Sequence, residues 1–182
     1  MMRAMREIAK IEHDRIARAL DELVEKIVAR HRDTPDLAVA GIANGGIPFS
    51  RKLVQQLALR LCRDVPLGVV NIAFHRDDIG HRPIPLQSAA TDLPFAMDEA
   101  TIILADDVHF TGRTARAAVN ELFDQGRPAR VELAVLCERN GRRLPIVPDY
   151  TGFALETTAK QRVEVHLDFD YPLRDCVRVL ED

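Results

Sequence analysis

Cysteine is scarce in this 182-residue chain: Cys62, Cys137 and Cys176 stand far apart, and their odd number leaves one sulfur over from any pairing. They form no CxxC pair, so neither a disulfide framework nor a cysteine metal site is expected, and Cys62 and Cys137 read as reduced residues packed in apolar segments. The six histidines include no HxxxH, and no dedicated protein metal site is expected. No run reaches the roughly 18 apolar residues of a membrane helix. Met1–Lys10 carries charges where a signal peptide has its apolar core, so a cytoplasmic protein without a membrane partner is expected. Charge of one sign is also lacking: a net charge of −3 supplies no global basic field to draw the chain to nucleic acid. Repeats, low-complexity tracts and a domain boundary are missing too. Residues 1–182 therefore read as one domain, long enough to bury roughly 70% of its extended-chain surface.

What is present alternates. Residues 3–31 carry Ile8, Ile11, Ile16, Leu20, Leu23, Ile27 and Val28 at helical spacings, stopped by Thr34-Pro35-Asp36. Leu37 to Ile42 is an apolar run of buried-strand type, and a helix follows from about Pro48 to Leu61. Leu67 to Phe74 reads as a strand, and the polar, proline-bearing stretch from Ile79 to Pro94 as a long loop of the kind that serves as a lid. Thr101 to Ala105 is a further strand, and Ala115 to Gln125 a core-facing helix closed by Gly126. Arg130 to Cys137 and Arg162 to Phe169 complete the strands. Strands alternating with helices over this length predict an α/β domain with a mainly parallel sheet flanked by helices.

The most informative stretch runs from Ile102 to Thr114: Ile-Ile-Leu-Ala-Asp-Asp-Val-His-Phe-Thr-Gly-Arg-Thr. An apolar strand meets two carboxylates, Asp106 and Asp107, then a hydroxyl-rich turn, then a helix. At the carboxyl end of a parallel strand, the N–H groups of such a turn point outward with the helix dipole behind them, which suits a phosphate. Two carboxylates ahead of the turn can accept hydrogen bonds from a vicinal diol. Phosphate beside diol describes a ribose 5-phosphate. Ala43-Asn44-Gly45-Gly46-Ile47-Pro48 is a second strand-turn-helix, whose glycines allow an anion to approach the backbone.

Residues 102–114 resemble the signature for 5-phosphoribosyl-1-pyrophosphate (PRPP) in type I phosphoribosyltransferases. Within that superfamily the chain resembles the PyrR family, pyrimidine-operon regulators with uracil phosphoribosyltransferase activity. The resemblance extends to Arg76-Asp77-Asp78, which follow His75, to Leu144-Pro145-Ile146 and to Asp149-Tyr150-Thr151-Gly152, the last two expected in loops bordering the base pocket. It implies the three-layer type I fold with a flexible flap over the site and a small hood. It implies transfer of ribose 5-phosphate from PRPP to uracil, giving UMP and pyrophosphate, with Mg²⁺ carried in by PRPP. In that reading Asp106 and Asp107 hold the ribose hydroxyls, and Thr111, Gly112, Arg113 and Thr114 hold the 5-phosphate. Asn44, Gly45 and Gly46 form the pyrophosphate loop, and Arg76 reaches the pyrophosphate during the reaction. His81 and Arg82, in the same stretch, remain ambiguous. Phe110 and Ile146 border the base.

One departure and three alternatives accompany it. Asn44 and Gly45 stand where the family commonly has Thr and Arg, so a side-chain contact to pyrophosphate is missing. Purine (hypoxanthine-guanine) relatives typically carry Asp at the position of Phe110, which favours a pyrimidine here; Tyr150-Thr151-Gly152-Phe153 keeps the purine alternative open. Leader RNA is a partner of some family members, yet the matching positions Asp21, Glu22 and Glu25 are acidic and Ala159 replaces a lysine, which argues against it. Arg60 and Arg63, or Arg139, Arg142 and Arg143, remain as another basic patch. A nucleotide sensor with little turnover is the third alternative. A homodimer or higher homo-oligomer is expected from the family.

Overall fold

The structure is a computed structural model that describes residues 5–43, 45–73, 75 and 90–181. The chain opens with strand β1 (Arg6–Glu12) and helix α1 (His13–His31), followed by β2 (Leu37–Ile42), α2 (Gly46–Leu61), β3 (Leu67–Val70), β4 (Thr101–His109) and α3 (Arg113–Gln125). Then come β5 (Arg130–Arg139), β6 (Tyr150–Leu155), β7 (Gln161–His166) and β8 (Cys176–Glu181). Five strands form a parallel sheet in the order β3-β2-β4-β5-β6.

Every residue of β2 is buried. That follows from a sheet covered on both faces, where strands read as continuous apolar runs. Along β4 the side chains alternate in period two: Ile103 and Ala105 join Leu23, Ile27, Leu53 and Leu57 of α1 and α2. Ile102 and Leu104 join Ala118 and Leu122 of α3 on the other face. In α1, Ile16, Leu20, Leu23, Val24 and Ile27 form one buried stripe, each such side chain contributing about 1.5–3 kcal/mol on burial. The two core clusters thus make the three layers that the sequence predicts.

A separate antiparallel sheet, β1-β8-β7, is the hood. It is fastened to the main body where the Lys52 ammonium of α2 meets the Asp175 carboxylate at 2.9 Å and donates to the Asp168 carbonyl at 2.7 Å.

Several boundaries differ from the sequence reading. Residues 6–12 are strand, not the start of a helix: Ile11 packs inward while Ile8 is exposed. Local spacing cannot reveal this, because the partner of β1 is β8, at the other end of the chain. β8 itself follows a strand expected to be the last, and that strand, β7, ends at His166 rather than Phe169. Tyr150–Leu155, expected as loop, is β6, paired with β5. β4 runs on to His109, so both aspartates lie in the strand. β3 stops at Val70, and the chain returns at residue 92, where Val69 and Asp92 make an antiparallel bridge. Phe74 and residues 76–89, where the flap is expected, lie outside the described residues. Cys137 is buried as expected, but Cys62 is exposed, because it caps α2 in the left-handed conformation at the helix's solvent end.

Candidate active site

β2 and β4 are neighbours in the sheet, yet the helices that follow them pack on opposite faces. Their carboxyl ends therefore open a crevice at a topological switch point, where ligands of α/β sheets bind. Both stretches singled out from sequence arrive there. A Cβ on Gly46 would lie 2.4 Å from the Ala105 carbonyl oxygen, so the first turn of α2 rests directly on the β4 backbone. A Cβ on Gly45 would lie 2.5 and 2.6 Å from the two carboxylate oxygens of Asp107. The glycine turn and the acidic pair are thus one packed unit. Asn44 lies outside the described residues.

Asp106 is buried and Asp107 half-buried. The Asp107 N–H donates to Asp106 Oδ1 at 3.0 Å, and the Val108 N–H donates to Asp107 Oδ1 at 2.8 Å. Burial, then the charge of Asp107, raises the Asp106 acid well above its ordinary range; burial also raises Asp107. Two carboxylates so close do not readily ionise together. Such a pair offers acceptors for hydroxyl groups and gains stability from a nearby positive charge.

The turn after β4 begins at Phe110. The Thr111 carbonyl accepts from the Arg143 and Leu144 N–H groups, both at 3.1 Å, which ties the turn to the segment after β5. Gly112 has φ of 86°, and a Cβ there would lie 3.1 Å from the Leu144 Cβ. Glycine is required for both reasons. It is also the N-cap of α3 and has no side chain to cap that terminus; the Arg113 N–H donates to Thr111 Oγ1 at 3.4 Å, which places the Thr111 hydroxyl at the helix's positive end. Arg113 and Thr114 are exposed there. This end of α3 is suited to an anion.

Phe110 is 37% exposed. Its ring carries the Arg139 guanidinium at 3.9 Å from the ring centre, and it packs against Gly141, whose added Cβ would lie 2.5 Å from the ring. Arg139 is buried, and its Nε has no hydrogen-bond partner among the described residues; burial lowers its pKa. Sequence reading grouped Arg139 with surface charges, and the only signal for a buried role was its place at the end of an apolar strand. The Ile146 side chain packs with the α3 core, its Cβ 3.7 Å from where a Cβ on Gly112 would lie, and lines a cavity of about 450 Å³ with Leu104, Ala115 and Val119. Its carbonyl accepts from His109 Nε2 at 3.1 Å, and burial lowers the His109 pKa. Arg76, Asp77, Asp78, His81 and Arg82 lie outside the described residues.

Arg60 and Arg63 are engaged in structure. Arg60 pairs with Asp21 at 2.9 Å and Glu25 at 3.0 Å on α1. Arg63 donates to the carbonyls of His31, Thr34 and Pro35 at the end of α1.

For Mg²⁺, the donor set fits a cation carried by a diphosphate. Asp107 offers carboxylate oxygen at the crevice, while Asp106 is buried and already accepts a backbone N–H, which is not an all-protein cage.

A family model described as phosphoribosyl transferase domain matches residues 8–170. The bifunctional protein PyrR of Ralstonia nicotianae is 48% identical over 141 residues, covering 76% of this chain and 78% of that protein. The protein of the same name from a Picosynechococcus species is 38% identical over 181 residues, the whole of both chains. Among solved structures, hypoxanthine phosphoribosyltransferase of Trypanosoma cruzi superposes with a TM-score of 0.69 at 18% identity, covering 98% of each chain. A purine phosphoribosyltransferase from Pyrococcus horikoshii gives 0.57 at 24% identity, covering 80% of this chain and 86% of that one. At such identities these two structures speak for the fold alone.

Proposed function

Since the chain belongs to the PyrR family, built on the phosphoribosyl transferase domain, we propose that it transfers ribose 5-phosphate from PRPP to uracil, forming UMP and pyrophosphate. The observation that carries this reading is the acidic pair of Asp106 and Asp107, seated on the first turn of α2 and followed directly by the glycine-capped start of α3. The α3 terminus, with Thr111, Gly112, Arg113 and Thr114, holds the 5-phosphate through N–H and hydroxyl donors. Asp106 and Asp107 accept from the ribose hydroxyls. As the bond to pyrophosphate lengthens, positive charge grows on the ribose ring, and the acidic pair stabilises it. Gly45 and Gly46 let the pyrophosphate approach the backbone, and Arg76 supplies a cation to it. Mg²⁺, when bound with PRPP, neutralises diphosphate charge.

Phe110 presents an apolar ring where a purine's imidazole edge needs an acceptor, which supports a pyrimidine base. The purine hint in Tyr150-Thr151-Gly152-Phe153 weakens: Tyr150 is buried at the start of β6, with its hydroxyl donating to Glu132 at 2.6 Å, remote from the crevice at the strands' carboxyl ends. A role in pyrimidine regulation is part of the proposal. Binding to leader RNA is disfavoured, since Asp21 and Glu25 neutralise Arg60 on the α1 surface. No described helix is long and apolar enough to cross a membrane. A cytoplasmic homo-oligomer accords with the reading.

The test is direct. The protein is incubated with PRPP, Mg²⁺ and, separately, uracil, hypoxanthine, guanine or orotate, and nucleotide is measured. UMP alone supports the proposal; purine nucleotide alone refutes it. No turnover with tight PRPP or UMP binding assigns the chain to nucleotide sensing instead.

A further inference from the structure

Beyond β3 the chain turns back onto α3 at His75. Its N–H donates to the Ile72 carbonyl at 3.0 Å, and the Arg116 guanidinium of α3 donates to its carbonyl at 3.2 Å. The backbone is therefore pinned before the side chain is considered. The imidazole Nε2 lies 3.0 Å from a carboxylate oxygen of Glu121 and 3.1 Å from one of Asp124. These two acids stand three residues apart on α3 and share a face. Glu121 is buried, and the Gln125 amide donates to its second oxygen at 3.1 Å, which fixes its orientation. All three donor atoms lie within 4.8 Å of one another.

A single imidazole nitrogen carries at most one proton, yet two carboxylates converge on it. Even a protonated imidazole sets a single positive charge against two carboxylates, one of them on a buried residue. A cation at the same point serves all three groups. With metal–ligand bonds of about 2.1 Å, tetrahedral donor atoms lie roughly 3.4 Å apart. The separations from Nε2 to each oxygen, 3.0 and 3.1 Å, are a few tenths shorter, so a bound cation would spread the three donors slightly. We propose that His75, Glu121 and Asp124 bind a divalent first-row transition cation of the zinc class. An imidazole with two carboxylates favours Zn²⁺ or Co²⁺ over Mg²⁺ and Ca²⁺, which take oxygen ligands. The Gln125 contact acts as the outer support that such sites use to orient a ligand. Spacing along the chain gave no hint of a metal site because one ligand follows β3 and the other two ride on α3. The site shares no residue with the acidic pair or the phosphate turn, and it does not depend on which base the protein accepts.

The experiment uses the full chain, stripped of metal and free of PRPP, titrated with Zn²⁺ by calorimetry and with Co²⁺ by visible absorption. Expected are one equivalent per chain, a Co²⁺ spectrum without sulfur charge transfer, and a higher unfolding temperature with Zn²⁺. Asp124 is exposed, so Asp124→Asn leaves the fold intact, and it should weaken binding about tenfold or more, as should His75→Gln. Cys62→Ser, which removes the exposed thiol, should bind as the parent does. Absence of saturable binding, unchanged affinity in Asp124→Asn, or loss only in Cys62→Ser overturns the proposal.

Discussion

Replacing Gly46 by alanine asks whether the seating of α2 on β4 sets the acidic pair. Helix propensity favours the change, since alanine exceeds glycine by about 1 kcal/mol in a helix interior. Nor is Gly46 among the residues with positive φ, so its backbone accepts a side chain. Packing argues the other way. The new Cβ would lie 2.4 Å from the Ala105 carbonyl oxygen and 3.2 Å from the Asp106 Cα. Carbon–oxygen contacts settle near about 3.3 Å, so the first turn must retreat by roughly 0.9 Å. Both obstructing atoms are backbone of a buried strand, which cannot swing aside as a side chain can.

Overpacking of this kind costs about 1–3 kcal/mol, which the propensity gain reduces to roughly 0–2 kcal/mol. For a domain of this size that lowers the unfolding temperature by up to about 8 °C. The catalytic loss should be larger, because a misplacement near 1 Å can cost on the order of 100-fold in rate. Gly45→Ala separates the two effects. The three atoms nearest its Cβ all belong to the Asp107 carboxylate, which can swing aside, so activity should fall while the unfolding temperature holds. Thermal unfolding and kcat/KM for UMP formation read both variants. If Gly46→Ala melts no lower than the parent and keeps its kcat/KM, the reasoning about this contact is refuted.

Asp106→Asn should abolish most UMP formation yet raise stability at pH 8. Burial and the Asp107 charge lift the Asp106 acid above its ordinary range, so its ionised form opposes folding; the parent should gain stability as pH falls, and the advantage of the variant should shrink. A variant less stable at pH 8 contradicts this. Glu132 behaves oppositely: burial alone raises its pKa, but hydrogen bonds from Tyr150 and His31 and the His31 charge outweigh it and hold the group below its ordinary value. Its contribution is full above the ordinary carboxylate range and lost as pH falls below it. Glu132→Gln should therefore cost about 1–3 kcal/mol at neutral pH, with the gap closing in acid, as denaturant titrations across pH will show. Phe110→Ala removes the ring under Arg139, a contact whose loss should cost about 0.5–2 kcal/mol of stability, and separately should raise the KM for uracil while that for PRPP changes little. An unchanged uracil KM removes Phe110 from the base pocket.

Contiguity decided what was legible. In residues 102–114 strand, acids, turn and helix follow one another, so local chemistry and the run's order suffice to place them at one strand end. The alternation of apolar runs with amphipathic stretches likewise carries the parallel sheet and its covering helices. β1 escaped notice for the opposite reason: its partner, β8, lies at the other end of the chain, and the spacing of Ile8 and Ile11 fits a helix equally well. β6 was obscured by its glycine and its family likeness to loop residues, although pairing with β5 makes it a strand.

By itself, then, the sequence determined the class of the fold and the position of the phosphate-and-diol stretch, since both rest on interactions between residues near in the chain. Only the tertiary structure decided that Gly45 bears on the Asp107 carboxylate, that Arg139 lies over Phe110, and that His75 meets Glu121 and Asp124. Those contacts join residues carried by separate elements. They depend on how strands register and helices pack, and no local pattern of charge or hydropathy encodes them.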